Sequence, residues 1–436
     1  MSRAGLKSVT APLAVLLLTA LPLSAVEAAA GAAPPKAVDW PHYRFDEKHT
    51  GYQKFETTLN KNNIQNVVRL WHGFLGGELV YQSSAAVADG VAYIGEEDGT
   101  LSAIAADGCG SDSCRPLWQS SYLAQVTSSP AVANGIVYVG SQTGFDDNSG
   151  KLNAFDAKGC GKDVCPPLWQ GKMPTGDSGS SPIVDNGLVY IGNDGLYVFD
   201  AEGCGKKLCD PLWKGKVQGG IGSTAVVYKG VVYVGSSHGA LDGRLYAFDA
   251  KGCGKAVCKP LWSGDTHGAT YDSSPAIYKG IVYIGSYHAI SAFDAKGCGA
   301  QSCAPVWQVK EDDFYFYGSP AVANDRVYID LEDRVAVYNA VGCKNCQGNA
   351  SLFGSGNQAA FAASPVVANG LVYGARNTGE LFVWPADCKG SCYETKKWLL
   401  DDPLLNSSPT IVNGKIYIGS SEHGFGGRLD VFGLPD

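Results

Sequence analysis

Residues 128–170 read SSPAVANGIVYVGSQTGFDDNSGKLNAFDAKGCGKDVCPPLWQ, and this stretch decides the fold. A short apolar run follows Ser128-Ser129-Pro130 and ends at Asn134-Gly135. Asn-Gly between apolar runs is a strong hairpin signal, because both turn residues need positive φ. The β-branched and aromatic run IVYVGS comes next, then a loop, then KLNAFDA, then a loop closed by Cys160 and Cys165, and finally PLW. These are four short strands, here called A to D.

The same order recurs along the chain. The opening phrase returns at Ser83-Ser84-Ala85, Ser180-Ser181-Pro182, Ser223-Thr224-Ala225, Ser273-Ser274-Pro275, Gly318-Ser319-Pro320, Ala363-Ser364-Pro365 and Ser407-Ser408-Pro409, which makes eight registers with the first. Each meets its own turn, from Asp89-Gly90 to Asn413-Gly414. Repetition at a period of about fifty residues, four strands to the unit, describes propeller blades. The expectation is an all-β, eight-bladed β-propeller of four-stranded antiparallel blades.

The end of the chain indicates how the ring closes. The eighth unit stops after strand C, whereas NVVRLWHGFL, residues 66–75, looks like a lone strand D carrying Trp71. That N-terminal strand is expected to complete the last blade and so remove an open edge. Seven C-to-D loops then remain, and seven cysteine pairs decorate them: Cys109/Cys114, Cys160/Cys165, Cys204/Cys209, Cys253/Cys258, Cys298/Cys303, Cys343/Cys346 and Cys388/Cys392. Local disulfides are expected rather than a metal, since zinc sites need two converging pairs. Trp71, Trp118, Trp169, Trp213, Trp262, Trp307 and Trp398 are expected at equivalent strand-D positions between blades, with Phe353 standing in for the missing one in blade six.

Composition fits this architecture. Of 436 residues, 45% are hydrophobic and 56 are glycine, enough for a large core with many turns. The formal net charge of -8 shows no basic patch and argues against nucleic acid. Residues 1–30 carry Arg3 and Lys7, then APLAVLLLTALPLSA, then small residues. This reads as a cleaved Sec-type signal peptide, so a secreted or periplasmic monomer without membrane span or lipid anchor is expected. Residues 31–65 are read as a lead-in and 66–436 as the propeller.

The units SSPAVANGIVYVGS…GKLNAFDAKGCGKDVCPPLWQ resemble the pyrroloquinoline quinone (PQQ) type propeller repeat. In that family a phrase A-x-D-x-x-x-G-K-x-x-W docks one blade on the next, and AFDAKGCGKDVCPPLW looks like that phrase expanded by a disulfide loop. WPHYRFDEKHTGYQ, from Trp40 to Gln53, looks like the family's N-terminal segment. The quinoprotein alcohol dehydrogenases of this superfamily imply PQQ near the ring axis, stacked between a Trp and a disulfide of adjacent cysteines, with Ca²⁺ and a catalytic Asp. No adjacent cysteines occur in this chain. The same repeat builds a non-enzymatic lipoprotein of the outer-membrane β-barrel assembly machine, so fold alone does not select a function.

Propeller geometry places the D-to-A and B-to-C loops on one variable face, opposite the tight turns and cysteine loops. Function is expected on the variable face. Its candidate ligand-binding residues are His238, Asp242, His267, Tyr271, Asp272, Tyr287, His288, Asp312, Asp313, Tyr315, Tyr317 and His423. Histidine beside carboxylates suits metal or proton chemistry, and tyrosine beside carboxylates suits sugar recognition. GFDDNSG, residues 144–150, lacks EF-hand spacing. Lys158 and Lys162 read as solubilising rim charges. Three functions follow: a disulfide-stapled scaffold binding a protein or glycan; a PQQ-dependent dehydrogenase with a non-standard site; or a polysaccharide lyase or hydrolase using the His/Tyr cluster.

Overall fold

The structure is a computed structural model. It describes residues 1–2, 38–75, 80, 82–142, 150–173, 179–271, 273–311, 315–316, 318–342, 350–355, 360–400, 406–421 and 426–435. Val38–Asp436 form one compact unit, so the lead-in from Val38 belongs with the ring. Eight sheets make up an eight-bladed all-β propeller. Blade two shows the pattern, with strands Ala131–Ala133, Ile136–Ser141, Gly150–Asp156 and Trp169–Met173 paired antiparallel in that order. The turn residues take the expected conformation, Asn134 at φ 51° and Gly135 at φ 76°.

The ring closes as the sequence implies. Val68–Phe74 pairs antiparallel with Gly427–Gly433 and completes the eighth blade. Residues 68–74 and 427–433 thus share one sheet, and no blade is left three-stranded.

The expected local disulfides form. Among the described residues six pairs are bonded: Cys109–Cys114, Cys160–Cys165, Cys204–Cys209, Cys253–Cys258, Cys298–Cys303 and Cys388–Cys392, with Cα atoms 5.6 to 6.5 Å apart. Cys343 and Cys346 lie outside the described residues.

The placement of the second cysteine in a plain C-to-D loop needs correction. The strip ending there reaches back to the preceding blade and pairs in parallel with its outer edge. Ser113–Cys114 joins the closing strand of blade eight, Val164–Cys165 joins Trp118–Ser120, Leu208–Cys209 joins Trp169–Met173, and Val257–Cys258 joins Trp213–Gly215. Cys392 lies inside a longer strip, Gly390–Tyr393, paired with Ala350–Phe353 and directly opposite Leu352. Cys303 makes the shortest version: Ser302 bridges Ser263, and the Cys303 N–H donates to Ser263 O at 2.8 Å. The physical reason is the exposed outer edge of strand D, whose main-chain groups need partners. A fifth strand therefore lies on most blades, and each staple holds a clasp across a junction as well as its own hairpin.

Two more contacts repeat at the junctions. The strand-B tyrosine of one blade donates to the carbonyl of the alanine ending strand C of the next, as in Tyr93 to Ala157 at 2.9 Å and Tyr190 to Ala250 at 2.9 Å. Strand-D tryptophans pack under the glycine that opens the next cysteine loop. A Cβ on Gly159 would lie 2.6 Å from Trp118, and one on Gly203 2.8 Å from Trp169, so those positions must stay bare.

The tryptophan assignment needs two corrections. Register places Trp118, Trp169, Trp213, Trp262 and Trp307 opposite the same strand-C position, and Trp71 matches them in blade eight. In blade six that position is Ala350, not Phe353, which sits three residues on, opposite Arg334. The space is filled from the other side by the buried Trp384 of blade seven, whose indole N–H donates to Phe353 O at 2.9 Å. In blade seven the matching position is Lys396, and Trp398 lies two residues further along.

Candidate functional site

The repeated second hydroxyl residue builds the axis. Its main-chain N–H donates to the hydroxyl oxygen of its counterpart in the next blade: Ser84 to Ser129, Ser129 to Ser181, Ser181 to Thr224, Thr224 to Ser274, Ser274 to Ser319, Ser319 to Ser364, Ser364 to Ser408, and Ser408 back to Ser84. These eight bonds, 2.8 to 3.1 Å long, form a closed ring around the channel.

One end of that channel is closed by the segment Trp40–Gln53. It travels around the inner strands and exchanges main-chain hydrogen bonds with them in turn, meeting Val87, Val132, Val227, Ile277, Val322 and Val367. It finishes as Tyr52–Gln53, parallel to the innermost strand of blade seven. Asp46 braces the plug internally by accepting from the N–H and hydroxyl of Thr50. Tyr43 rises from it, and its hydroxyl bridges Ser319 and Ser364 of the ring at 3.0 and 2.9 Å.

Above this floor is an axial cavity of about 300 Å³, lined by Ser129, Ser181, Thr224, Ser274, Ser364 and Tyr43 among others. Gln82, Asn377 and Asn406 line it from D-to-A and B-to-C loops, so it opens on the variable face. Among the described residues the lining holds no carboxylate, lysine, tryptophan or cysteine. Sequence reasoning used the Ser-Ser-Pro phrase only to set the register, and it read WPHYRFDEKHTGYQ only as a family mark. Tyr43 and the hydroxyl ring were missed as site residues, although the second hydroxyl recurs in all eight units.

Beneath the floor lie buried charges. Arg44 is 1% exposed and Asp330 0%. Among the described residues, no partner accepts a hydrogen bond from the Arg44 guanidinium nitrogens, and the Asp330 oxygens have none either, although the Gly318 main chain faces that carboxyl. Asp330 occupies the place where six other blades carry glycine and blade seven carries Ala375, and Gly318 the place where most carry serine. The exchange is steric, since a Cβ on Gly318 would lie 2.1 Å from Asp330 Oδ1. Burial pushes the Asp330 carboxyl up to about 7, opposed by the charge of Arg44. Burial also lowers His42, and lowers His49 well below its ordinary value, which keeps His49 neutral.

The candidate loop residues separate into groups. Tyr271 and Tyr287 have ring centroids 4.8 Å apart, Tyr287 and Tyr315 4.9 Å, and His288 and Tyr315 5.3 Å. His288 Nδ1 is buried without a hydrogen-bond partner among the described residues. Tyr271 and Tyr315 stand three residues before Ser274 and Gly318 of the cavity wall, and none of the four rings lines the cavity itself. His238 instead pairs with Asp242 at 3.7 Å, and His267 Nδ1 lies 3.4 Å from Lys310 Nζ. Asp272, Asp312, Asp313, Tyr317 and His423 lie outside the described residues. Among the described residues no cluster of three or more His, Cys, Asp or Glu is placed to hold a metal.

Comparison with known proteins agrees with this architecture. The family model described as outer membrane protein assembly factor BamB, a PQQ-type repeat, matches residues 97–342 and 167–387, which together span about two thirds of the chain. The chain belongs to this PQQ-type propeller family. No curated protein sequence matches it. Solved structures similar to it include a quinohemoprotein alcohol dehydrogenase from Comamonas testosteroni, 13% identical, with a TM-score of 0.68 over 91% of this chain and 80% of that one. BamB from Moraxella catarrhalis is 14% identical, with a TM-score of 0.59 over 84% of this chain and 97% of that one. The computationally designed Ika8 protein is 14% identical, with a TM-score of 0.60 over 83% and 99%. At such identities the likeness is one of fold.

The PQQ and Ca²⁺ that the dehydrogenases imply do not fit the axial cavity. Its described lining offers no carboxylate to ligate calcium and neither the tryptophan nor the cysteines of a stacking sandwich.

Proposed function

We propose that the protein is an interaction scaffold working outside the cytoplasm, with a glycan as the partner of its variable face. The observation that carries this reading is the aromatic group Tyr271, Tyr287, His288 and Tyr315, whose rings meet on loops of the variable face. Aromatic rings offer an apolar face to sugar C–H groups, with a hydroxyl at the edge for hydrogen bonding. Asp272, Asp312, Asp313 and Tyr317 neighbour them in sequence and are proposed as ligand-binding residues with them. The disulfides suit an oxidising compartment. Removal of residues 1–30 and a monomeric state belong to the same proposal.

The histidines do not support a lyase or hydrolase equally well, because His238, His267 and His288 each have a different partner. The description of the family as an assembly factor supports a protein partner as the second reading.

The test is glycan-array binding by the mature protein, repeated with Tyr287→Ala and Tyr315→Ala. Binding that falls at least about tenfold, roughly 1.4 kcal/mol, with little change in Tm supports the reading. A blank array sinks it. A cross-linked protein partner lost in the same variants would then establish the second reading.

A further inference from the structure

We infer that the axial cavity is a site for a small anionic group, a carboxylate or a phosphate, entering from the variable face. The inference rests on the hydroxyl protons of the ring. Each ring oxygen accepts a main-chain N–H, so its own proton remains to be donated. Among the described residues, no acceptor takes the protons of Ser129, Ser181, Thr224 or Ser274. All four side chains border the cavity, and none is more than 4% exposed. On the far side Tyr43, Ser319 and Ser364 bring three hydroxyl protons to two hydrogen bonds, which leaves one more.

Buried donors left unmatched cost about 1–3 kcal/mol each. Several that converge on one cavity are best matched by an occupant with several lone pairs and no protons to place. A carboxylate has about four lone-pair sites, and charge-assisted bonds are roughly twice as strong as neutral ones. The described lining holds no carboxylate to repel such a group. Arg44 lies beneath the floor, its guanidinium carbon 6.0 Å from the Tyr43 ring centroid. Its field is shared with Asp330, so the hydroxyl protons carry the argument. The net charge of -8 means that anion binding would have to be local rather than a general attraction.

This site depends on the scaffold reading only for the direction of approach, and small anions test it without any partner. Calorimetric titration of the mature chain with sodium acetate and with inorganic phosphate, against acetamide and glucose as neutral controls, is the first arm. One saturable site for acetate or phosphate, with at least tenfold weaker binding of both neutral probes, is expected. Equal binding of acetate and acetamide, or no anion binding, overturns the inference whatever any variant does. In the second arm Ser181→Ala with Thr224→Val should weaken anion binding at least tenfold, while Thr224→Ser retains it. Unchanged anion affinity in a folded double variant also overturns it.

A uronate-terminated oligosaccharide separates the possible sources of the anion. Binding at least tenfold tighter than acetate, with that gain lost in Tyr287→Ala, assigns the anionic group to a glycan; equal affinity assigns the site to a free small anion. Loss of the tyrosine effect alone would count against the scaffold reading and leave the anion site standing.

Discussion

Blades one to five and blades six to eight are built from the same repeat but hold together differently. In the first five, the serine that opens strand A accepts from the N–H of a strand-B glycine, as Ser128 does from Gly140 and Ser273 from Gly285. In blade six that pair becomes Gly318 and Asp330, in blade seven it becomes Ala363 and Ala375, and blade eight keeps it as Ser407 and Gly419 but takes its strand D from Val68–Phe74. Each departure is met by a contact that the regular blades do not make. Arg44 of the plug faces Asp330, Trp384 replaces the tryptophan missing at Ala350, and residues 56–67 cover the seven-to-eight junction. There Glu56 accepts from Thr58, Leu59 and Gly414, Leu59 O accepts from Asn369, and Val67 O accepts from Trp398. The departures in blade six and at the seven-to-eight junction meet residues of the N-terminal segment, whereas the one at the six-to-seven junction is met by blade seven itself.

The most severe test removes that supply. A chain beginning at residue 76 lacks both plug and closing strand, and should lose its near-UV circular dichroism and its cooperative unfolding transition. A cooperative, native-like transition would show that the irregular arc does not depend on the lead-in.

The next test exchanges one solution for the other. Trp169→Ala at a regular junction and Trp384→Ala at the six-to-seven junction should each cost about 3–5 kcal/mol in urea unfolding, although the two indoles come from opposite blades. Ala350→Trp alone should overpack by about 1–3 kcal/mol, and adding Trp384→Phe should recover much of that loss. Failure to recover would mean that the two packings are not alternatives.

The buried carboxyl of blade six gives the irregular arc a pH response. The ordinary carboxyl value is 3.8, and in the fold Asp330 is pushed up to about 7. The folded state therefore holds an extra proton between those values, and stability falls as pH rises through that window, by up to about 1.4 kcal/mol per pH unit. The lowered His42 and His49 act in the opposite sense below their ordinary value of 6.5. The difference between wild type and Asp330→Asn isolates the carboxyl. A parallel pH dependence of unfolding in the two proteins would contradict the assignment.

A clasp should matter less. Cys204→Ser with Cys209→Ser opens a loop with a sequence separation of only 5, and the expected loss is about 2 kcal/mol in the chain-entropy model. Limited proteolysis of that variant should cut first at the freed clasp beside Trp169–Met173. Unchanged proteolysis would mean that the strand pairing holds without its staple.

Much of this division can be followed from the residues themselves. The Asn-Gly turns, the Ser-Pro phrases and the truncated eighth unit lead to eight blades and their closure, because local turn chemistry and a fixed period dictate both. The cysteine pairs were legible as local staples, but the pairing of Cys258, Cys303 and Cys392 strips with the blade before was not, since it joins segments about 40 residues apart. Tyr271, Tyr287 and Tyr315 were legible as loop residues on one face, but only the fold brings their rings into contact. The hydroxyl ring was not legible, since its bonds join residues about 45 apart and close from Ser408 to Ser84. Arg44 and Asp330 are remote in sequence, and only their common burial relates them. Phe353 was misassigned because the missing indole is replaced from the neighbouring blade, which no pattern within one unit records.

The smallest effect separates the two arcs most finely. At seven junctions the strand-B tyrosine donates to a carbonyl in the next blade, the last being Tyr417 to Ala106 at 2.8 Å. At the eighth, Tyr373 is buried at 0% exposure, and its hydroxyl has no hydrogen-bond partner among the described residues. Tyr190→Phe would leave Ala250 O without its donor, and should cost about 1 kcal/mol or somewhat more. Tyr373→Phe removes a hydroxyl that was desolvated without compensation, so it should be neutral or slightly stabilising. Urea unfolding of both variants at one pH measures the contrast. If Tyr373→Phe costs as much as Tyr190→Phe, the hydroxyl has a partner at this junction, and the lead-in reproduces the repeat's contact rather than replacing it.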